Sequence, residues 1–261
     1  MKRKFSTEER RSIILNTIHE QGRVSVPDLV STFGVSEVSI RKDLAVLEDR
    51  QLLVRVKSGA INIHQTGESD DLSISHKQHL NAKEKKLLGQ FAASLVKDGE
   101  TIIIDSGTTT MEIAKNLGHI QKLTAITNAL DIALYLNNYD RFSVMVLGGN
   151  LREVSYSTVG MFAELGVKNL FCDKAFLGVD SISIKDGIST PSIEEASLNQ
   201  AMINSAKEII AVFDSSKYGR RTFAHIASLN KINTIVTDSG IPQEFKDYCT
   251  QNGIALHIVE V

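Results

Sequence analysis

Apolar residues recur at helical spacing in the first fifty positions of the chain, and this pattern predicts three helices. In the third, over residues 36–47, Ile40, Leu44 and Leu47 lie at i, i+4 and i+7 and form one buried stripe. Small polar and basic residues occupy its other faces, and a segment ending at Gly34-Val35 precedes it, like the turn of a helix-turn-helix. The first two helices are predicted over residues 7–20, with Ile14, Leu15 and Ile18 inside, and 27–33.

Two short β-prone runs around a Ser-Gly turn follow the third helix, within residues 52–61. Arg55 and Lys57 alternate with Val54 and Val56, so the basic side chains are expected to point outward. Three helices followed by such a hairpin predict a winged helix-turn-helix, whose third helix enters the major groove while the wing holds phosphates. The residues predicted to contact DNA are Ser36, Ser39, Arg41, Lys42, Arg55 and Lys57.

A polar helix face is more often solvated than bound to DNA, so the charge of the whole module matters. Residues 1–60 carry eleven Lys and Arg against eight Asp and Glu, a net charge of +3, whereas the remainder of the chain carries −5. The basic excess therefore lies in the module that is predicted to contact DNA.

The 261 residues allow two domains, since a winged helix-turn-helix needs only about sixty. We assign residues 1–62 to DNA binding, 63–80 to a polar linker, and 81–261 to a second domain with its own core. Cys172 and Cys249 are the only cysteines, and there is no apolar leader and no run near the roughly twenty residues of a membrane span. The sequence thus predicts a reduced, cytoplasmic protein. Neither a metal nor a cofactor is predicted, because Cys and His show no ligand spacing.

Beyond the linker, short β-branched runs alternate with helical segments such as residues 81–96, which predicts an α/β fold with a parallel sheet covered by helices. In such sheets ligands bind outside the carboxyl ends of the strands. The predicted strands are residues 101–104, 123–126, 144–147, 175–177, 209–213, 235–237 and 256–259.

The first of these strands ends in Asp105-Ser106-Gly107-Thr108-Thr109-Thr110, and a helix begins at Met111. Backbone N–H groups, hydroxyls and a helix amino terminus together can hold an anion, so this run is a candidate phosphate cradle. A glycine turn with a threonine N-cap fits the run equally well. No Walker lysine follows and no GxGxxG occurs, which disfavours a nucleotide site.

Polar residues follow three other strands: Asn128, Gly148-Gly149 with Arg152, and a run ending at Lys217. One pocket could draw on all of them, with Lys217 and Arg152 neutralising a phosphate. Glu195 has a competing explanation, because a carboxylate in the first turns of a helix is favoured by the helix dipole alone. The residues suited to bond sugar hydroxyls are Asp105, Asn128, Asp180 and Glu195.

A further pattern in the first module is formed by Arg10, Ile14, Ser36, Ile40, Arg41, Lys42, Asp43 and Leu44. In spacing and type these residues resemble the amino-terminal signature of the DeoR family of bacterial transcriptional regulators. Ser39 stands where the family usually has threonine, and Ser58-Gly59 where many members have two glycines. Ser39 keeps the hydroxyl of threonine, and Gly59 still supplies a flexible turn residue. These departures therefore concern base preference rather than DNA binding.

The strand-end motifs also resemble the sensor domain of this family, which is similar to the ribose-phosphate isomerase and glucosamine-phosphate deaminase fold. The resemblance implies a transcriptional repressor of a sugar catabolic operon, of the amino-sugar subgroup, that a sugar phosphate releases from double-stranded operator DNA. Repeated half-sites favour a homo-oligomer, a dimer or tetramer. By position, the resemblance implies that Ser106, Gly107, Thr108 and Thr109 with Lys217 hold the effector phosphate, and that Asp105, Asn128, Gly148, Arg152, Asp180 and Glu195 shape the sugar pocket.

The alternative is an isomerase or deaminase that carries a DNA-binding domain. The sequence offers carboxylates for a general base at Asp105, Asp180 and Glu195, but no histidine lies near a strand-end motif. The sequence therefore favours a protein that is not an enzyme.

Overall fold

The structure is a computed structural model that describes residues 5–49, 52–56, 58–61 and 73–261. The chain divides into two compact units, Met1–Leu72 and Ser73–Val261. Within the range assigned to a linker, residues 63–72 lie outside the described residues, whereas Ile74–His79 form a helix.

Three helices and a three-stranded antiparallel sheet form the first unit, so the three predicted helices are confirmed. Ser6 begins the first helix with a capping box, because its hydroxyl accepts from the Glu9 N–H and the Glu9 carboxylate accepts from the Ser6 N–H. Ser25 caps the second helix, and Gly34 ends it in the left-handed conformation. The elements are α1 (Thr7–Gln21), β1 (Arg23–Ser25), α2 (Val26–Phe33), α3 (Glu37–Asp49), β2 (Val54–Val56) and β3 (Gly59–Ile61).

The apolar stripe of α3 lies at the centre of the core of this unit, and its predicted residues are at most 1% exposed. Ile14 and Ile18 of α1 are buried in the same core, and Leu15 is partly buried against it. Strands β2 and β3 form the predicted wing, with Val54 paired to Ile61. The sequence pattern does not predict β1, because three residues without apolar alternation give no strand signal; β1 pairs with β3.

Gly59 lies where two strands of this sheet approach closely. A Cβ atom here would lie 1.9 Å from the carbonyl oxygen of Val24 and 2.8 Å from the Cα of Ser25, both in β1. The expectation that Gly59 serves as a flexible turn residue is wrong, because it lies in β3 and its φ is not positive. The missing side chain instead allows β1 and β3 to pair.

Gly59→Ala is expected to lower the free energy of unfolding of the first unit by about 1–3 kcal/mol, because the added methyl group meets fixed backbone atoms. Ser58→Ala, at the exposed neighbouring position, is expected to change it by about 0.5 kcal/mol or less. Hydrogen exchange of peptides from α1 and α3 measures both effects. Equal protection in the two variants would show that the sheet has room for a side chain.

The second unit is built on a seven-stranded sheet in which all neighbouring strands are parallel, with the order β15-β14-β12-β9-β4-β5-β6. All seven predicted strands are confirmed. Among the described residues, no helix is long and apolar enough to cross a membrane. The elements are α4 (Ile74–His79), α5 (Ala82–Ser94), β4 (Thr101–Ile104), α6 (Thr108–Lys115), β5 (Leu123–Thr127), α7 (Leu130–Leu136), β6 (Phe142–Val146), β7 (Asn150–Arg152), β8 (Ser157–Val159), α8 (Met161–Lys168), β9 (Cys172–Gly178), β10 (Ser181–Ser183), β11 (Gly187–Thr190), α9 (Ile193–Ser205), β12 (Ala206–Val212), β13 (Ala224–Ala227), β14 (Thr234–Asp238), α10 (Gln243–Gln251) and β15 (Ala255–Val259).

Successive residues of the central strands enter two different cores, one on each face of the sheet. In β4, Ile103 belongs to one core, whereas Ile102 and Ile104 belong to the other. Phe176 and Leu177 of β9 divide in the same way. Burial on both faces explains why these strands are continuous apolar runs rather than alternating ones.

Five short strands outside the main sheet were not predicted. Strands β7 and β8 form a hairpin, and β10, β11 and β13 form an antiparallel sheet. Each has three or four residues, and several of these are serine or threonine, so no apolar run marks them. They bring Arg152 and Thr190 to the polar cluster described below.

Candidate functional site

The first turns of α3 and the residue before it carry the four residues that were predicted to contact DNA through this helix. Ser36, Arg41 and Lys42 are exposed and Ser39 is half-buried. The Ser36 and Ser39 hydroxyls lie 3.0 Å apart, and Arg41 pairs with Glu37 through two nitrogens at 2.7 and 2.8 Å. The first contact joins the two hydroxyls, and the second orients the guanidinium along the helix surface.

Val38 was missed by the sequence reasoning, although it lies on the exposed part of α3. Its side chain is 77% exposed, which is unusual for a β-branched apolar residue. An apolar side chain on a recognition helix can contact a thymine methyl group. The prediction of DNA contacts considered only polar and basic residues and therefore did not include Val38.

The wing is held to α3 by an ion pair. The Arg55 Nε lies 2.8 Å from Glu48, and the Arg55 N–H donates to the same carboxylate at 3.0 Å. The Arg55 side chain remains partly exposed. Lys57, the other predicted wing contact, lies outside the described residues.

Asp43 anchors α3 to α1 through a buried cluster of charges. Its carboxylate is 2.5 Å from the Nε of Arg10 and 2.9 Å from the Nε of Arg11. Asp43 is 2% exposed and Arg10 8%. Arg10 and Asp43, which belong to the amino-terminal signature, therefore position the recognition helix. The sequence pattern did not predict this role.

In the second unit, the predicted phosphate cradle lies at the amino terminus of α6. Gly107 is the N-cap residue, so the alternative of a threonine N-cap is wrong, and no side chain caps the helix. Among the described residues, neither the N–H groups of residues 107–110 nor the hydroxyls of Ser106, Thr108 and Thr109 have a hydrogen-bond partner. Free N–H groups at a helix start are suited to an anion.

The side chains of Asp105 and Asn128 fix the position of this cradle through the Ser106 N–H. The Ser106 N–H donates to Asp105 Oδ1 at 2.8 Å and to Asn128 Oδ1 at 3.1 Å. The other oxygen of Asp105 accepts from Asn199 Nδ2 at 2.8 Å. Burial of the Asp105 carboxyl, reinforced by the negative charge of Glu195, raises its pKa to about 7.

The raised pKa of Asp105 predicts a pH-dependent stability. Folded Asp105 keeps a proton that the unfolded chain releases near pH 3.8, so the free energy of unfolding falls as the pH rises from there to about 7. Asp105→Asn should remove up to about 4 kcal/mol of this fall, since one pKa unit corresponds to about 1.4 kcal/mol. Denaturant unfolding between about pH 4 and pH 8 gives the comparison. Parallel curves for the two proteins would contradict the shift.

A second polar cluster lies near Asp105 and is formed by side chains of β7, β11 and α9 and of the loops that follow β7 and β9. Arg152 lies 3.2 Å from Glu195, and Ser155 donates to the same carboxylate at 3.1 Å. The Thr190 hydroxyl is 3.2 Å from both Glu195 and Asp180. Burial raises the pKa of Glu195, and the charge of Arg152 opposes the shift. Arg152, predicted to neutralise a phosphate, is thus paired with a carboxylate.

Lys217 differs from Arg152 because its ammonium has no hydrogen-bond or ion-pair partner in the part of the chain that the structure describes. Burial lowers its pKa, and the nearby charges of Asp214 and Asp180 oppose this shift. Asp214 bonds Asn81 at 2.8 Å through one oxygen, and its other oxygen is buried without a partner among the described residues. A half-buried, unpaired cation is suited to an anionic ligand.

Lys77 of α4 also belongs to this site, although the sequence reasoning placed it in the linker. Its Nζ lies 2.6 Å from Asp180 Oδ1. Burial alone would raise the pKa of Asp180, but the charges of Lys77 and Lys217 bring it down to about 2. Lys85 lies nearby, and burial together with the charge of Lys217 lowers its pKa to about 8.

The structure places six predicted effector residues within hydrogen-bond or electrostatic reach of one another, namely Asp105, Asn128, Arg152, Asp180, Glu195 and Lys217. Gly148 is not among them. Gly148 lies exposed after β6, and no atom lies within 4 Å of where its Cβ would be. The reasoning from strand ends missed residues carried by helices and loops, because it inspected only the residues after each apolar run. Those residues are Lys77, Asn81, Lys85, Ser155 and Asn199.

A winged helix-turn-helix unit and a cluster of polar side chains at the carboxyl ends of a parallel sheet define a transcriptional regulator with a ligand-sensing domain. The model of the DeoR-like helix-turn-helix domain matches residues 10–66, and that of the DeoR C terminal sensor domain matches residues 80–239. The chain belongs to the DeoR family of DNA-binding transcriptional regulators.

Similarity to other proteins extends along nearly the whole chain. An Escherichia coli O157:H7 protein named as an aga operon transcriptional repressor is 37% identical, covering 99% of this chain and 96% of that protein. The Bacillus subtilis (strain 168) transcriptional repressor GlcR is 32% identical, covering 97% and 96%. Among solved structures, ribose 5-phosphate isomerase A from Methanocaldococcus jannaschii is 18% identical, with a TM-score of 0.39 over 53% of this chain and 55% of that one.

Proposed function

We propose that this protein represses a sugar catabolic operon and leaves its operator when a phosphorylated amino-hexose binds the sensor domain. The observation that carries the proposal is the unpaired ammonium of Lys217, whose charge acts on Asp180, together with the free N–H groups at the start of α6, which follow Asp105, a carboxyl that the charge of Asp180 also reaches. Together they offer a phosphate a cation and several donors. The amino-sugar class is supported by the motif resemblance and by the aga operon relative.

The sugar would lie over the carboxylates beside this phosphate position. Asp180 and Glu195 lie close together, because the Thr190 hydroxyl is 3.2 Å from an oxygen of each. Hydroxyl groups or an ammonium group of a sugar can donate to these oxygens. Asp105 and Asn128 contribute by holding the Ser106 N–H, and Gly148 is assigned to the edge of the pocket, where it leaves open space.

On the DNA side, the proposed contacts are Ser36, Ser39, Arg41, Lys42, Arg55 and Lys57. Ser36, just before α3, and Arg41 and Lys42 on it are exposed, and Ser39 is half-buried, which supports their entry into the major groove. A single module buries little DNA, so we propose that the repressor acts as a dimer or tetramer on repeated half-sites.

Thermal unfolding of the purified protein against hexose, hexosamine and ketose phosphates tests the effector class. One phosphosugar at about 100 times its dissociation constant should add about 2.7 kcal/mol, or roughly 5–10 °C. The unphosphorylated sugars serve as controls and should have no effect. A transition that no phosphosugar moves would contradict the proposal.

An enzyme of the isomerase or deaminase type is the second candidate, and one observation favours it: the pKa of Asp105, about 7, suits a general base. However, Asp105 is only 5% exposed and both its oxygens accept bonds from within the site. We therefore propose that the domain binds sugar phosphate without turnover. Conversion of glucosamine 6-phosphate, abolished by Asp105→Asn, would establish the enzyme instead.

A further inference from the structure

Helix α4 is held against the polar cluster by contacts at its first residue and at Lys77. The Ile74 N–H donates to the Val154 carbonyl at 2.7 Å, and the Ile74 side chain is buried. Near the other end, Lys77 pairs with Asp180, and Lys85 donates to the Lys77 carbonyl. A helix of six residues is not stable by itself in water. The position of α4 therefore depends on these contacts.

One of these contacts is made with a residue of the proposed effector pocket. Asp180 accepts from Lys77 on one oxygen and from Thr190 on the other, so both oxygens have partners within the protein. A sugar hydroxyl that bonds Asp180 must compete with the Lys77 ammonium. Ligand binding at Asp180 therefore acts on α4 directly.

The two lysines of the pocket also favour an anion placed between them. The charge of Lys77 contributes to lowering the pKa of Lys217, so the ammonium groups are close enough to repel each other. A phosphate beside Lys217 removes this repulsion and attracts Lys77. The same ligand can thus supply a new partner to Lys77 and a new donor to Asp180.

The packing around α4 leaves room for this change. A cavity of about 260 Å³ lies between α4 and α6, lined by Ile74, Gln78 and His79 on one side and by Met111 and Glu112 on the other. A small shift of α4 therefore does not need to displace the packed cores on the two faces of the sheet. In the sequence, only residues 62–73 separate α4 from the last strand of the wing.

We propose that Lys77 couples effector binding to DNA release. The effector phosphate replaces Asp180 as the ion-pair partner of Lys77, and α4 moves together with Lys77. This movement changes the constraint on the DNA-binding unit. This inference rests on the proposed function, since it needs a sugar phosphate in the pocket. A ligand shifts such a balance only through different affinities for the two arrangements, and exchange of the Lys77 ion pair supplies that difference.

The test uses Lys77→Met in the full chain, which removes the charge and keeps an unbranched side chain. Lys83→Met, at an exposed position on α5, is the matched control. The probe is glucosamine 6-phosphate or galactosamine 6-phosphate, whichever stabilises the wild type, with affinity measured by calorimetry. Operator affinity is measured by fluorescence anisotropy with and without saturating probe. For each protein, the coupling factor is the operator affinity without probe divided by the operator affinity with saturating probe. A substitution that changes operator affinity equally in both conditions therefore leaves the coupling factor unchanged.

Wild type and Lys83→Met are expected to show a coupling factor of about 5–150. Lys77→Met should still bind the probe, about tenfold more weakly for the loss of one charged contact, with a coupling factor of about one. Lys77→Arg should recover part of the coupling because it restores the charge. The inference is overturned if Lys77→Met has the same coupling factor as the wild type, or if this variant does not bind the probe at all. Either outcome leaves the proposed function intact. Absence of probe binding by the wild type would overturn both.

Discussion

Asp43→Ala is expected to lower the free energy of unfolding of the DNA-binding unit by about 3–5 kcal/mol, because it leaves two arginines without their shared buried partner. The pairs with Arg10 and Arg11 join α1 to α3, so the change loosens the recognition helix from the rest of the unit. Hydrogen exchange of α1 and α3 peptides measures the loss, which corresponds to a decrease in protection of about 100-fold or more.

Glu37→Ala is the matched control for Asp43→Ala. It removes a carboxylate from the same helix, but Glu37 pairs with Arg41 on the surface, where both side chains are more than half exposed. An exposed pair of this kind contributes about 0.5 kcal/mol or less. If the two variants exchange at the same rate, the buried cluster does not stabilise α3 as we describe.

Lys217→Met is expected to weaken binding of the effector phosphosugar by about 30-fold or more, since loss of one partner from a buried charge pair costs about 2–5 kcal/mol. Without ligand, its thermal stability should not fall, because the ammonium is half-buried and unpaired among the described residues. Calorimetric titration and thermal unfolding give the two quantities separately.

Lys231→Met, at an exposed position fourteen residues after Lys217, is the control for the loss of one positive charge. It should bind the phosphosugar like the wild type. If Lys217→Met also binds like the wild type, Lys217 does not hold the phosphate and the cradle at α6 must be assigned to another role.

The main sheet could be predicted from the sequence because both of its faces are buried. Ile102, Ile103 and Ile104 enter alternate cores, so the strand shows as an unbroken apolar run. The polar residues that follow such runs, including Asp105 and Lys217, could be predicted for the same reason, since the carboxyl ends of parallel strands meet at one edge.

The rest of the site could not be predicted because it depends on contacts between residues distant in the sequence. Lys77 lies 103 positions before Asp180, in a short polar segment that gives no periodic signal. Asp43 and Arg10 were visible in the amino-terminal signature, but only the packing of α1 on α3 shows that they form a buried pair. Gly59 was noticed for its flexibility, whereas its role is to leave space for β1.

The most direct test of the central claim is the affinity of the full-length protein for its operator with and without the phosphosugar that stabilises it, measured by fluorescence anisotropy at fixed salt concentration. We expect specific operator binding that weakens by about 5- to 150-fold when the phosphosugar is saturating. The unphosphorylated sugar should leave the affinity unchanged. If the operator affinity is the same with and without a phosphosugar that demonstrably binds, the sensor domain does not control release from DNA and the account is wrong.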